Sequence, residues 1–161
     1  MPDALPTDRL QPYLLDRLID EQPEARQESR TARVMTLPQF RAAVLRDLRW
    51  LLNANAHIPG ELDDFGEVSR SVLNYGSVDL SGRMVSSLGL AELERNLIAA
   101  IRTFEPRILP DTLKVKAIVD ATVGSPNTIA LEIRGELWAT PHPEELYIKT
   151  EIDLDTGVCE L

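Results

Sequence analysis

At 161 residues, 43% hydrophobic and 27% charged, the chain has the composition of one globular domain able to bury a real core. Its net charge of −9 argues against general binding to nucleic-acid phosphates, which needs a basic footprint. The lone Cys159 leaves no internal disulfide, Met1 to Asp8 lack the pattern of a secretory leader, and the longest apolar run, Leu97 to Ile101, falls far short of the ~20 residues of a membrane span, so the cytoplasm is the expected compartment.

Residues 1–35 form a polar N-terminal arm with Pro2, Pro6, Pro12 and Pro23, and residues 36–161 are expected to form a single α+β domain. Within the arm Leu14, Leu15, Leu18 and Ile19 recur at helical spacing, which predicts a short helix over Pro12 to Asp20 whose apolar face needs a surface to cover it. Gln22 to Thr36 is nearly free of apolar residues and reads as a linker. A helix then opens at Thr36, a suitable N-cap, with Pro38 in its first turn. Leu37, Phe40, Val44, Leu48 and Leu51 form its apolar stripe, while Arg41, Arg46 and Arg49 lie opposite with only Asp47 to balance them. Asn53-Ala54-Asn55 weakens that helix and Pro59-Gly60 ends any continuation.

Glycines punctuate the stretch from Asp63 to Gly89, with a helical turn expected near Glu67 to Leu73. Asn74-Tyr75-Gly76 and Asp79-Leu80-Ser81-Gly82 make it dense in turn formers, and Tyr75 can bury a ring while its hydroxyl finds a partner. These residues read first as a packed loop and second as a docking site. The next helix runs from Leu90 to Phe104 on the stripe Leu90, Leu93, Leu97, Ile98, Ile101 and Phe104. Phe104-Glu105-Pro106-Arg107 stops it, because a proline disfavours helix at the residue before it. The tripeptide Glu105-Pro106-Arg107 is expected to sit exposed at the junction between the helical half and the strands, serving to staple the fold or to dock a partner.

After Pro110 the period changes from helical to two. The runs Leu113 to Ala121, Ile129 to Trp138 and Leu146 to Leu154 alternate apolar with polar residues, predicting a three-stranded antiparallel sheet with helices packed on one face. Asp155-Thr156-Gly157 is a turn before a short tail, Val158 to Leu161. A sheet this small has two edges, and an open edge is a place where another chain's strand can add. The acids crowd this end: from Glu136 onward seven acids face one base, Lys149.

The search for chemistry finds little. Neither His57 nor His142 has a second ligand at metal spacing, no phosphate-binding or nucleophile motif occurs, and Cys159 lies on the tail, so no catalytic, cofactor-binding or metal site is expected. Asp63-Asp64 and Glu144-Glu145 read as solvated loop charges, and Arg107 is the wrong neighbour for Glu105 as a general acid. The aromatics are too few for a nucleic-acid stacking platform.

Several ordered segments carry a likeness. Leu14-Leu15-Asp16-Arg17-Leu18 is followed by Val44 to Asn53, then by Ser71 to Gly76, Asp79 to Gly82, Phe104 to Arg107 and Ile152 to Gly157. In this order they resemble TssE, the baseplate wedge subunit of the bacterial type VI secretion system, which is itself similar to a wedge protein of contractile phage tails. The resemblance implies a structural protein rather than an enzyme. Its implied partners are the baseplate subunits TssF, TssG and TssK and the sheath subunits TssB and TssC, met at a cytoplasmic baseplate docked on the inner-membrane complex. It also implies that the sheet edge accepts sheath strands. The family's lysozyme-like label suggests the alternative of a peptidoglycan hydrolase, and the equivalent subunit of a phage tail or related injection system is a further alternative.

Overall fold

A computed structural model of the chain describes residues 10–19, 24, 34–56, 62, 64–84, 87, 89–119, 127–139 and 142–161. The arm before Leu10, most of the expected linker, His57, Pro59-Gly60, Asp63 and Ala121 lie outside these residues. The elements are α1 (Leu14–Leu18), α2 (Leu37–Leu52), α3 (Gly66–Ser69), a 3-10 turn (Val72–Asn74), α4 (Leu90–Phe104), β1 (Lys114–Ile118), β2 (Thr128–Leu137), β3 (Glu144–Asp153) and β4 (Cys159–Glu160). The strands form one antiparallel sheet in the order β1–β2–β3–β4. The α+β class is as expected, but the sheet has four strands rather than three. The fourth is made by the tail. Asp153 Oδ1 accepts the N–H groups of Asp155 at 2.7 Å and Thr156 at 3.2 Å, and Gly157 turns with φ +75°, folding Cys159 and Glu160 back onto β3. Two residues are too few to display a period of two.

The long helices follow from their ends and stripes. Thr36 Oγ1 accepts from Gln39 N–H at 3.4 Å while Gln39 Oε1 accepts from Thr36 N–H at 2.9 Å, a reciprocal cap at the start of α2. From α2 Phe40, Ala43, Val44, Leu48, Leu51 and Leu52 are buried, and from α4 Leu93, Leu97 and Ile101. Leu37, in the first turn, stays exposed. These stripes meet Ile129, Leu131, Ile133 and Leu137 of β2 and Leu146, Ile148 and Ile152 of β3 in one core, which also takes in Leu10 from the arm. The register of β2 on β3 is fixed by this face, since a slip of one residue would turn every apolar side chain to solvent. At roughly 1.5–3 kcal/mol per buried aliphatic side chain, that cost far exceeds any gain from alternative pairings.

Glu144 and Glu145, expected in a loop, open strand β3 instead. Val119 is exposed just past the end of β1, so the inward face of the first run stops at Ala117.

The strand β2 outlasts β1. Beyond Arg134 its main chain pairs with the segment that follows α4: Trp138 N–H donates to Arg107 C=O at 2.7 Å, and Leu109 N–H to Glu136 C=O at 2.8 Å. Pro110 to Thr112 bulge out between the two stretches, and Thr112 Oγ1 accepts Glu136 N–H at 2.9 Å in place of a strand partner. Gly135 permits the approach, as a Cβ there would lie 3.0 Å from Ile108 Cγ2. The residues after Pro106 are thereby built into the plane of the sheet.

Candidate functional site

Pro106 gives Glu105 a non-helical backbone at the C-cap of α4, φ −124° and ψ 74°, and this aims both flanking side chains the same way. The Glu105 carboxylate folds back on Arg107. Its Oε1 accepts the Arg107 N–H at 3.1 Å and Nε at 2.6 Å, and its Oε2 takes Nη2, a two-pronged pairing. The same Nη2 donates to Asp47 Oδ2 of α2 at 2.5 Å. Asp47 Oδ1 accepts from Arg46 Nε at 2.8 Å, and Arg46 Nη1 reaches Asp16 Oδ1 of α1 at 2.8 Å. A continuous chain of five charges, Glu105–Arg107–Asp47–Arg46–Asp16, thus ties α4, α2 and α1 together.

The expected exposure of this tripeptide is corrected by its surroundings. Glu105 is 2% and Arg107 4% exposed, and only Pro106 faces solvent. Opposite charges at hydrogen-bonding distance offset much of the desolvation cost that would otherwise keep each at the surface. Asp47, sixty positions upstream of Arg107, supplies the second carboxylate.

Aromatic rings wall the cluster. Arg107 Cζ lies 4.9 Å from the centre of the Tyr13 ring, and Tyr13 in turn lies 6.2 Å from Phe40. Arg46 Cζ sits 5.1 Å over Trp50. Tyr75 donates its hydroxyl to the Asp47 carbonyl at 3.3 Å and meets Phe104 edge-on at 5.2 Å. Burial works against the Arg107 charge, but Glu105 and then Asp47 more than offset it and hold the guanidinium pKa above its ordinary value. Burial likewise raises the phenols of Tyr13 and Tyr75. This arrangement is a clamp of alternating opposite charges.

The remaining predicted residues divide. Tyr75 joins the cluster. Asn74 Nδ2 donates to Ser69 C=O at 2.9 Å and closes the preceding turn. Gly76 has φ +142°, and a Cβ there would meet the Ala54 carbonyl oxygen at 2.4 Å. It is the close approach that lets Ser77 pair with Ala54 and Ala56 through main-chain bonds of 2.8 and 2.9 Å. Asp79 belongs to a separate exposed turn, where its Oδ1 accepts the Ser81 N–H at 2.9 Å and the Ser81 hydroxyl at 2.6 Å, lowering the carboxyl pKa. Sequence reasoning missed Tyr13, Asp16, Arg46 and Asp47 as members. The available signal was Asp47 standing alone among Arg41, Arg46 and Arg49.

Elsewhere, His142 is exposed, and Cys159 is buried at 1% exposure on β4 rather than lying on a loose tail. Burial raises its thiol pKa, opposed by a contact with the Thr150 hydroxyl at 3.4 Å. Among the described residues no group of three His, Cys, Asp or Glu side chains is placed to hold a metal ion, and no helix is long and apolar enough to cross a membrane.

In comparison with known families the chain matches the family described as baseplate wedge protein gp25, over residues 38–142. That range runs from the first turn of α2 through the Glu105-Pro106-Arg107 junction to the end of β2 and its loop. No curated protein and no solved structure matches the chain at a significant level.

Proposed function

The chain belongs to the baseplate wedge protein gp25 family, a family of structural, phage-tail-like baseplate proteins, and on that premise we propose that it is the TssE-type wedge subunit of a type VI secretion system. In this reading its helical side joins the wedge proteins TssF and TssG, with TssK nearby, at a cytoplasmic baseplate docked on the inner-membrane complex. Its sheet starts the contractile sheath by accepting a strand from TssB–TssC. The observation that carries the reading is an antiparallel sheet covered on one face by α2 and α4 and not closed into a barrel, so that strand edges remain at which another chain can pair. The charge clamp supports it by fixing the helical half to the sheet, so that a load on one is borne by the other.

The proposed role is non-catalytic. Two buried or partly buried carboxylates at the junction, Glu105 and Asp47, are both engaged by Arg107, which leaves neither placed as a free acid or base. Co-purification of the full chain with TssF–TssG and with TssB–TssC checks the structural role, and failure to bind either one overturns it. Incubation of the purified chain with peptidoglycan is expected to leave turbidity unchanged; clearing would establish the hydrolase instead. A gene neighbourhood encoding phage tail proteins, without the other Tss subunits, would reassign the wedge to a phage or related injection system.

A further inference from the structure

Among the described residues the sheet offers three stretches of strand edge; Glu94 and Asn53 hold outward main-chain groups on two of them, and Arg41 reaches only the Glu145 carbonyl at one end of the third. In an antiparallel pair the main-chain groups of alternate residues point to opposite sides. Leu154 N–H donates to Asn127 C=O and Asp153 N–H to Val158 C=O, so even residues of β3 face β2 and odd residues face the β4 side. Carried across the registers, the same alternation turns Ala117 of β1 and Cys159 of β4 outward. Glu94 of α4 accepts the Ala117 N–H at 2.9 Å, plugging the C-terminal part of the β1 edge. Asn53, just past α2, takes both outward groups of Cys159, its Oδ1 accepting the N–H at 2.9 Å and its Nδ2 donating to the carbonyl at 3.0 Å. A side-chain amide has the donor and acceptor of a peptide group, and here it fills the place of the next strand.

The third stretch is open. The strand β3 has ten residues, and β4 pairs only with Glu151 and Ile152. Along Glu145, Tyr147 and Lys149 the outward main-chain groups have no strand beside them among the described residues, and Arg41 Nη1 touches only the Glu145 carbonyl, at 3.4 Å. The flanking side chains define what fits. Leu146 and Ile148 lie on the core side, Ile148 at 8% exposure, while Glu145, Tyr147 and Lys149 face solvent. Glu145 also stands directly across from Glu136, a pair of like charges that a cation alongside would relieve.

Resting on the strand-acceptor reading above, we propose that the Glu145–Lys149 edge of β3 receives the incoming strand, and that this strand alternates apolar with charged residues, a basic one beside Glu145 and an acidic one beside Lys149. Its apolar side chains extend the core past Leu146 and Ile148. Glu94 and Asn53 direct it there by occupying outward main-chain groups of the other two edges.

The test is amide hydrogen exchange on the full chain with and without a capped peptide in which valine alternates with lysine and glutamate. In the free protein the Tyr147 and Lys149 amides exchange fast and Ala117 slowly. With peptide bound, Tyr147 and Lys149 slow by about tenfold or more, as a new hydrogen bond of ordinary strength requires, and Val115 and Ala117 do not change. Protection at Val115 and Ala117 instead would overturn the edge assignment while leaving strand addition intact. Binding without protection at either edge, or no binding, overturns the proposal, and co-purification with TssB–TssC then decides separately whether strand addition itself survives. The variant Glu94→Ala is expected to add peptide protection at Val115 and Ala117; if it does not, Glu94 is not a plug.

Discussion

Arg107 is held by two carboxylates from different elements, so its removal leaves Glu105 without a partner and Asp47 with Arg46 alone. Arg107→Leu is expected to cost about 3–5 kcal/mol, read as a large drop in melting temperature, because it strands the Glu105 carboxylate in a buried position. Lysine in its place recovers little, since it lacks the planar fork that meets Glu105 with two bonds. Exchanging the pair, Glu105→Arg with Arg107→Glu, also fails to restore stability, because it sets the new carboxylate against Asp47. A normal melting temperature for that double variant, with sheath assembly lost, would show that the pair acts in docking. At Cys159 the pKa is raised by burial, so the neutral thiol is favoured in the fold. Its contribution to stability is therefore complete below the unfolded thiol value of about 8.5 and is lost as pH climbs through the higher folded value. Cys159→Ala should flatten the alkaline limb of a stability–pH profile, and wild-type labelling by a thiol reagent should proceed no faster than unfolding.

Elements whose formation depends on local pattern were legible in the sequence. The helix Leu90–Phe104 has the ends its stripe and Pro106 dictate, and the start of α2 follows from Thr36 and Pro38. Removing the Thr36 cap by Thr36→Ala is expected to cost about 1 kcal/mol, measured by denaturant titration with the slope unchanged. The inward faces of β2 and β3 were equally plain from their alternation. Less legible was anything set by distant partners. In α1 periodicity marks Leu14, Leu15 and Leu18 as the side to bury, yet Leu14 is 71% and Leu18 72% exposed. The helix docks by Tyr13 over Arg107 and Asp16 on Arg46, contacts that no hydrophobic pattern scores. The buried state of Glu105 and Arg107 was hidden for the same reason, since it needs Asp47 from another helix. The fourth strand was hidden by its length alone.

Across the whole molecule the family match covers residues 38–142, and the strand proposed to receive a partner follows it in the chain. The junction connects everything else, and its five charges differ in shelter. Side-chain exposure is 3% for Glu105, 5% for Arg107 and 8% for Asp16, but 22% for Asp47 and 30% for Arg46. Added salt screens partly exposed pairs far more than buried ones, the Debye length falling to ~3 Å at 1 M. Trypsin cleavage after Arg17 should accordingly quicken with rising salt, and in Asp16→Asn at low salt, while the melting temperature of the domain changes little. Cleavage that stays constant would show that the ring contacts of Tyr13 and the burial of Leu10 hold the arm without the ion pair. Arg46, the most exposed link of the five, is thus the expected fuse: the arm parts from the domain there before the junction between helices and sheet gives way.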